Sequence, residues 1–130
     1  LNGDLCCIVK NNLHIIILSL RIYVLNAALF QKWEQIYNAN NCQVHAMKIG
    51  HIAFGRFSIS LSNNNEGTLT LPSSYAPASD MSCSIPLSRN GENAQSAWLS
   101  RNSAGNGTLT VKAAQNNLGT YTCTACWFTA

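Results

Sequence analysis

Alternation of apolar and polar residues dominates the chain from about residue 53 onward. The runs 57–61, 109–113 and 121–127 carry an apolar residue at every second position, separated mostly by Ser or Thr. A period of two is typical of strands with one buried face, and small hydroxyl residues suit the other face of an antiparallel sheet. Two such sheets would bury each other. The sequence therefore predicts an all-β fold, an antiparallel β-sandwich of jelly-roll-like or immunoglobulin-like form.

The alternation and its turn signals predict eight strands, near residues 13–24, 42–48, 51–62, 67–71, 80–86, 96–101, 107–113 and 119–128. The pairs Asn90-Gly91 and Asn106-Gly107 are favoured in two-residue hairpin turns. Met81, Cys83 and Ile85 are expected to point inward. In the strand 51–62 the apolar phase slips after Phe54, which predicts a β-bulge near Gly55-Arg56.

Residues 26–38 offer a helical alternative, because five apolar residues share one face after a possible cap at Asn26. They are Leu29, Phe30, Trp33, Ile36 and Tyr37. One short helix or an aromatic-rich connection would fit there. We expect residues 1–40 to form an N-terminal hairpin and connection, in the same sandwich or in a preceding module. Residues 41–130 are expected to form the β-sandwich domain, and the start at Leu1 predicts a fragment or processed product.

Composition bears on the partners. Charged residues make up 10% of the 130 residues and the net charge is +3, against about 25% charged residues in ordinary domains. The basic residues are scattered, so no nucleic acid partner is predicted. The apolar segment 13–30 is interrupted by His14, Arg21 and Asn26. A charge within a span is costly, and we therefore expect no membrane insertion.

The six cysteines raise the question of metal or disulfide chemistry. Cys123 and Cys126 have the spacing of a zinc knuckle or redox motif. In a strand, however, residues three apart point to opposite faces, so we expect no metal there. Cys83 and Cys123 are interpreted as buried free thiols. One or more disulfides remain an open alternative, since the cysteine count is even.

Catalytic groups form no recognised arrangement. The three histidines and five carboxylates show no triad or glycosidase pairing, and glycine-rich phosphate loops are absent from the sequence. They are His14, His45, His51, Asp4, Glu34, Glu66, Asp80 and Glu92. The sequence therefore predicts a protein that is not an enzyme, with no catalytic residue and no cofactor.

The stretch 67–79 resembles a pattern near the carboxyl end of bacteriophage tail-fibre and baseplate receptor-binding proteins. In that pattern a strand leads to Leu-Pro, Gly-Tyr-Arg-Pro and a Ser or Thr. Residues 44–62 are similar to their hairpin with a Lys-x-Gly turn, 107–111 to their Gly-Thr-Val-Thr-Val strand, and 121–127 to their closing aromatic strand. Ser74 stands where Gly is usual and Ala76 where Arg is usual. The interaction that this Arg makes in the tail proteins is therefore not expected in this chain.

The resemblance implies a β-sandwich, frequently trimeric, at a tail tip or fibre end. It implies location in the virion and three partners: a host cell-surface polysaccharide or protein, other virion tail proteins, and two further copies in a homotrimer. Two alternatives remain open. One is a secreted or cell-surface β-sandwich binding domain stapled by disulfides, and the other is a glycan-cleaving tail component.

Ligand binding is expected in loops rich in Asn, Ser and Tyr, where neutral polar groups and ring faces suit a neutral glycan. Trp98 is included because it lies out of phase with its apolar neighbours. The opposing interpretation, that the rings of Tyr75 and Trp98 pack in the core, stays open. The candidate ligand-binding residues are Asn63, Asn64, Asn65, Tyr75, Asn90, Asn93 and Trp98.

Overall fold

A computed structural model describes residues 15–19, 32–114 and 117–130. The chain divides into two compact units, 1–31 and 32–130. In the first unit residues 15–19 are helical and exposed. The strand predicted for 13–24 is therefore wrong over these five residues, and its remainder lies outside the described residues. A continuous apolar run carries no period-two signal, so periodicity alone does not separate helix from strand there.

The second unit is the predicted antiparallel β-sandwich. One sheet has six strands in the order β1-β2-β3-β10-β6-β7, and the other has four in the order β4-β9-β8-β5. The strands are β1 (Glu34–Ala39), β2 (Cys42–Ile49), β3 (Ile52–Leu61), β4 (Glu66–Leu71), β5 (Cys83–Ser84), β6 (Ser88–Arg89), β7 (Glu92–Asn93), β8 (Ser96–Arg101), β9 (Gly107–Lys112) and β10 (Gly119–Phe128). Within the described residues, no helix is long and apolar enough to cross a membrane.

Strand β3 alternates without interruption, so the bulge predicted near Gly55-Arg56 is wrong. Its ladders with β2 and β10 run in continuous register. Ala53 and Gly55 face the core, while Phe54 lies on the outer face. The apolar phase slips because small residues point inward at the place where the large ring of Trp127 fills the interior.

Most of the predicted inward positions are confirmed as buried: Phe57, Ile59, Leu61, Leu69, Leu71, Ile85, Leu109, Val111, Ala113, Tyr121 and Trp127. Met81 is an exception, with 43% of its surface exposed. It lies in a turn that is closed by a hydrogen bond, which the Met81 N–H donates to the carbonyl of Ala78. The strand predicted for 80–86 is reduced to β5, because this segment crosses from one sheet to the other.

Strand β1 lies where the end of the helix was predicted over residues 26–38. The helical prediction is therefore wrong over residues 34–38, and residues 26–31 lie outside the described residues. The register of β1 against β2 shifts between Gln35 and Tyr37. Ile36 and Tyr37 both pack against the core. Two consecutive inward residues at a bulge break the alternation, which explains why the sequence favoured helical spacing.

Connections between strands decide which residues reach the surface. Asn90 and Gly91 form the predicted two-residue turn, each with positive φ. The two-residue turn predicted at Asn106-Gly107 is wrong, because Gly107 belongs to β9. Asn102 closes this longer connection: its side-chain oxygen accepts hydrogen bonds from the N–H groups of Ala104 and Asn106, both at 3.0 Å.

Tyr121 anchors the start of β10. Its hydroxyl donates to the carbonyl of Asn117 at 2.7 Å. Its ring is fully buried between the sheets. A tyrosine two residues before a cysteine, bonded back to the chain just upstream, is the tyrosine corner seen in many β-sandwiches. The connection that precedes β10 is thereby held against the sandwich.

Candidate functional site

Several asparagine-rich connections meet at one end of the sandwich, which we call the asparagine end. It comprises the β1–β2 turn (40–41), the β3–β4 connection (62–65), the β6–β7 turn (90–91) and the described residues 113–114 and 117–118 between β9 and β10. The N–H of Ala113 donates to the carbonyl of Asn65 at 2.7 Å. Arg89 donates to the side-chain oxygen of Asn117 at 2.8 Å. These bonds tie connections from both sheets together.

A cleft of about 450 Å³ opens at the asparagine end. It lies where β1 approaches β4, the edge strand of the four-stranded sheet. Apolar side chains of Ile59, Leu61 and Leu69 contribute to its lining. We call it the asparagine cleft, and its polar side chains with hydrogen-bonding capacity include Tyr37, Asn40, Asn63, Asn64, Glu66 and Thr68.

The asparagine cleft offers three kinds of contact to a ligand. Side-chain amides both donate and accept hydrogen bonds, the Glu66 carboxylate only accepts when ionised, and the half-buried ring of Tyr37 provides an apolar face. Tyr37 also packs against the core, which holds its ring in place. The arrangement can bind a small ligand rich in hydroxyl groups. It contains no histidine and a single carboxylate.

The structure brings two of the sequence-predicted residues together in this cleft. Asn63 and Asn64 are exposed and line it. Asn65 is adjacent in sequence but is half-buried, and its side-chain amide donates to the carbonyl of Ala113 at 3.4 Å. Together with its backbone bond to Ala113, this contact gives Asn65 a structural role at the base of the connection.

Asn90 and Asn93 lie at the same end but do not line the cleft. Both are exposed in the β6–β7 hairpin. Asn90 has a φ of 52°, a left-handed conformation that asparagine tolerates better than most residues. Its place in the tight turn already accounts for the residue type. The hairpin is braced by Asn117, whose amide donates to Glu92 at 2.7 Å.

The expectation that Tyr75 offers its ring to a ligand is wrong. Tyr75 lies at the other end of the sandwich and only 8% of its surface is exposed. The 3₁₀ turn Ser73–Tyr75 folds the ring inward, and the Trp127 indole donates to the Tyr75 carbonyl at 2.9 Å. The Tyr75 hydroxyl donates to Glu34 at 3.2 Å. Burial and the nearby negative charge of Glu34 raise the Tyr75 pKa.

Trp98 lies on the outer face of the four-stranded sheet, in register with Ser84 and Thr110 on the neighbouring strands. Its exposure is confirmed, at 40% of the residue surface. It does not line the asparagine cleft. The structure therefore separates Trp98 from the asparagine residues with which the sequence grouped it.

Sequence reasoning missed five polar residues of the cleft, namely Tyr37, Asn40, Ser60, Ser62 and Thr68. The first two belong to β1 and its turn, which were assigned to a helix or connection. A signal existed in Asn40-Asn41, an asparagine pair whose φ values are 52° and 60°. Such a pair is typical of a tight hairpin turn. No sequence signal places β4 beside that turn.

The prediction that Cys123 and Cys126 point to opposite faces is confirmed. Cys123 packs against the core, whereas Cys126 is exposed. Burial raises the pKa of Cys123 to about 11. Cys42 is buried and hydrogen-bonded to the backbone of Ser60. Cys42, Cys83, Cys123 and Cys126 are free thiols.

Among the described residues, no three His, Cys, Asp or Glu side chains are grouped so that they could hold a metal ion. The absence of a metal and of a cofactor stays a prediction. Comparison of the chain with protein-family models, with curated proteins and with solved structures finds no match.

Proposed function

We propose that this chain is a structural and host-recognition module of a phage tail fibre or baseplate, and that it binds a neutral cell-surface glycan in the asparagine cleft. The observation that carries the proposal is the meeting of Asn40, Asn63 and Asn64 with the Tyr37 ring in one open cleft. The module acts by binding alone, without catalysis or a cofactor. The phage context comes from the sequence resemblance.

The chemistry of the cleft favours a sugar over a charged ligand. Sugar hydroxyls donate and accept hydrogen bonds, which matches the side-chain amides, and the ring of Tyr37 can pack against the apolar face of a pyranose. The Glu66 carboxylate accepts from hydroxyl donors and would repel an anionic glycan. No Lys or Arg lines the cleft. Its volume lies within the range of small-molecule sites.

The test compares Asn63→Ala/Asn64→Ala with the parent chain in attachment to host cells and to a panel of surface glycans. Two side-chain amides that bind the ligand would be lost, which should weaken binding about 10-fold or more. The melting temperature should change little because both side chains are exposed. Tyr37→Phe should weaken binding less, since it retains the ring and removes only the hydroxyl.

Asn93→Ala/Gln95→Ala is the matched control, because both residues are exposed at the same end and neither lines the cleft. It should bind like the parent chain. Unchanged glycan binding in the Asn63→Ala/Asn64→Ala variant would contradict the proposal. Loss of binding in the Asn93→Ala/Gln95→Ala variant alone would move the site to the β6–β7 hairpin.

Assembly forms part of the proposal, since tail proteins of the kind this sequence resembles are frequently trimeric. The full chain is expected to form a homotrimer and to contact other tail proteins of the virion. Light scattering at micromolar concentration should give three times the 14.1 kDa chain mass. A mass of one chain at that concentration would contradict the trimer and leave the glycan site to its own test.

A further inference from the structure

A second cleft, of about 520 Å³, lies at the end of the sandwich remote from the asparagine cleft. Two thiols line it although they are 43 residues apart in sequence (126 − 83), and they belong to different sheets. We call it the thiol cleft. Its lining residues are Ile52, Asp80, Met81, Ser82, Cys83, Cys126, Trp127 and Phe128.

The chain path explains why the two thiols share this cleft. Pro77 bridges to Thr129 beside the end of β10, and the N–H of Ala78 donates to the Phe128 carbonyl at 3.3 Å. From there the chain turns and crosses to β5, where Cys83 pairs with Leu99 of β8. The segment that carries Cys83 is therefore anchored next to Cys126 before it joins the other sheet.

We propose that Cys83 and Cys126 form a reversible disulfide that joins the two sheets of the sandwich. Cys126 is exposed and accessible to a disulfide reagent, while Cys83, which lines the same cleft, is half-buried. Burial raises the Cys83 pKa, and the charge of Cys126 raises it further. Both thiols line the thiol cleft, which is open to a small reagent.

Glutathione disulfide is a suitable oxidant, and the chemistry proceeds by two exchanges. The Cys126 thiolate attacks one sulfur of glutathione disulfide, forms a mixed disulfide and releases one glutathione thiolate. Cys83 then loses its proton to solvent, and its thiolate attacks the Cys126 sulfur and releases the second glutathione. Two protein thiols are oxidised to one disulfide, and one glutathione disulfide is reduced to two glutathione molecules.

The other described thiols are poorly placed to compete. Cys42 is buried and hydrogen-bonded to Ser60. Cys123 faces the core, where burial raises its pKa to about 11, so little of it is a thiolate near neutral pH. Neither residue lines the thiol cleft. Cys126, the exposed member of the proposed pair, should therefore be the first of these thiols to react with glutathione disulfide.

The experiment incubates the full chain with glutathione disulfide, blocks remaining thiols by alkylation and maps the tryptic peptides by mass spectrometry. Trypsin cuts after Arg56, Arg89 and Lys112, which leaves Cys83 in peptide 57–89 and Cys126 in peptide 113–130. We expect these two peptides to be linked until a reductant is added. Fragmentation of the linked pair should assign the bond to Cys126, since Cys123 is in the same peptide.

Two variants and one physical measurement complete the test. Cys126→Ser should abolish the link, whereas Cys123→Ala should retain it. Oxidation should raise the melting temperature of the parent chain by roughly 5 °C or more, because the bond closes a loop of about 43 residues in the unfolded chain. The same treatment should leave the melting temperature of Cys126→Ser unchanged.

Three results would overturn the proposal. One is a stable glutathione adduct on Cys126 with Cys83 still free, which would show that the two sulfurs do not meet. Another is a link from Cys83 to Cys123 or to either N-terminal cysteine. The third is a link between Cys83 and Cys126 that forms only after the chain is unfolded by urea.

Discussion

At the scale of single residues, Gly55 faces the core at a position with no room for a side chain. A Cβ atom at this position would lie 2.7 Å from Cζ3 of Trp127 and 2.8 Å from Cε2 of Phe57. Both rings are buried and pack against each other, with centroids 5.7 Å apart. Gly55→Ala should therefore lower the free energy of unfolding by about 1–3 kcal/mol, as overpacked cores do. Urea denaturation measures the change.

A double-mutant cycle separates this contact from a general effect of alanine in the strand. In a Trp127→Phe background the ring is smaller, so Gly55→Ala should cost less than in the parent chain. Ser58→Ala, on the opposite face of the same strand, is the control and should change stability by less than about 0.5 kcal/mol. Equal costs of Gly55→Ala in both backgrounds would show that Trp127 is not the obstacle.

Cys123 should make stability depend on alkaline pH. Its pKa is raised by burial from about 9 to about 11 in the folded chain. Below about pH 9 the thiol is protonated in both states and stability is complete. As the pH rises toward 11, the unfolded chain releases the proton while the folded chain retains it, so stability falls.

Cys123→Ala should reduce the loss of stability between about pH 9 and pH 11, measured by urea denaturation with a reductant present. Some loss should remain, because burial also raises the pKa of Cys83 and of Tyr75. Cys42→Ala serves as a comparison for removal of a buried thiol. An identical pH dependence in the parent chain and in Cys123→Ala would refute the assignment.

At the scale of elements, the alternation of the sequence predicts the strands that bury one face over several residues. Strands β3, β8, β9 and β10 fall within one or two residues of their predicted bounds. In each of them one face meets the core and the other meets water, so burial itself produces the period of two. Strands β6 and β7 have two residues each, which is too short for any periodicity.

The asparagine cleft was predictable only in part, for a related reason. Asn63 and Asn64 lie in a turn between two clearly alternating strands, so the sequence assigns them to the surface. Tyr37 and Asn40 enter the cleft because β1 comes close to β4 in the other sheet. That approach depends on packing between residues distant in sequence. The local sequence pattern therefore identifies the turn that carries Asn63 and Asn64, but it does not identify β1 as the strand that packs beside it.

The β1–β2 turn gives a prediction for the hairpin as a unit. Asn40 and Asn41 both have positive φ, and Ala39 pairs with Cys42 across them, as in a two-residue type I′ turn. Asn41→Gly should stabilise the protein by about 0.5 kcal/mol, because glycine adopts this conformation without strain. Asn41→Ala should destabilise it by about 1 kcal/mol. Thermal or urea denaturation measures both changes.

Asn38→Gly is the matched control for that pair, since it puts the same glycine into the adjacent strand. It should destabilise the hairpin, because glycine in a strand loses more conformational entropy on folding. If Asn41→Ala proved as stable as Asn41→Gly, the left-handed turn at Asn40 and Asn41 would not control the hairpin. The left-handed turn would then not be what holds Asn40 at its position in the cleft.

At the scale of the whole molecule, polarity comes from neutral side chains. Charged residues are 10% of the chain, the net charge is +3, and Glu66 is the single charged residue in the lining of the asparagine cleft. A partner recognised by hydrogen bonds and ring contacts is affected little by mobile ions, whereas an electrostatic partner is screened by salt. The dependence of binding on ionic strength therefore reports which kind of partner the chain recognises.

Under the proposed function, attachment to host cells should change less than about threefold between 50 mM and 500 mM NaCl, because few charges are screened on binding. The measurement is the apparent Kd from cell binding or surface plasmon resonance on the glycan identified by the panel. Glu66→Gln should bind a neutral glycan at least comparably at both salt concentrations, since the amide can still accept hydrogen bonds. A Kd that rises 10-fold or more with salt would point to an anionic partner and exclude the neutral cleft as the principal binding surface.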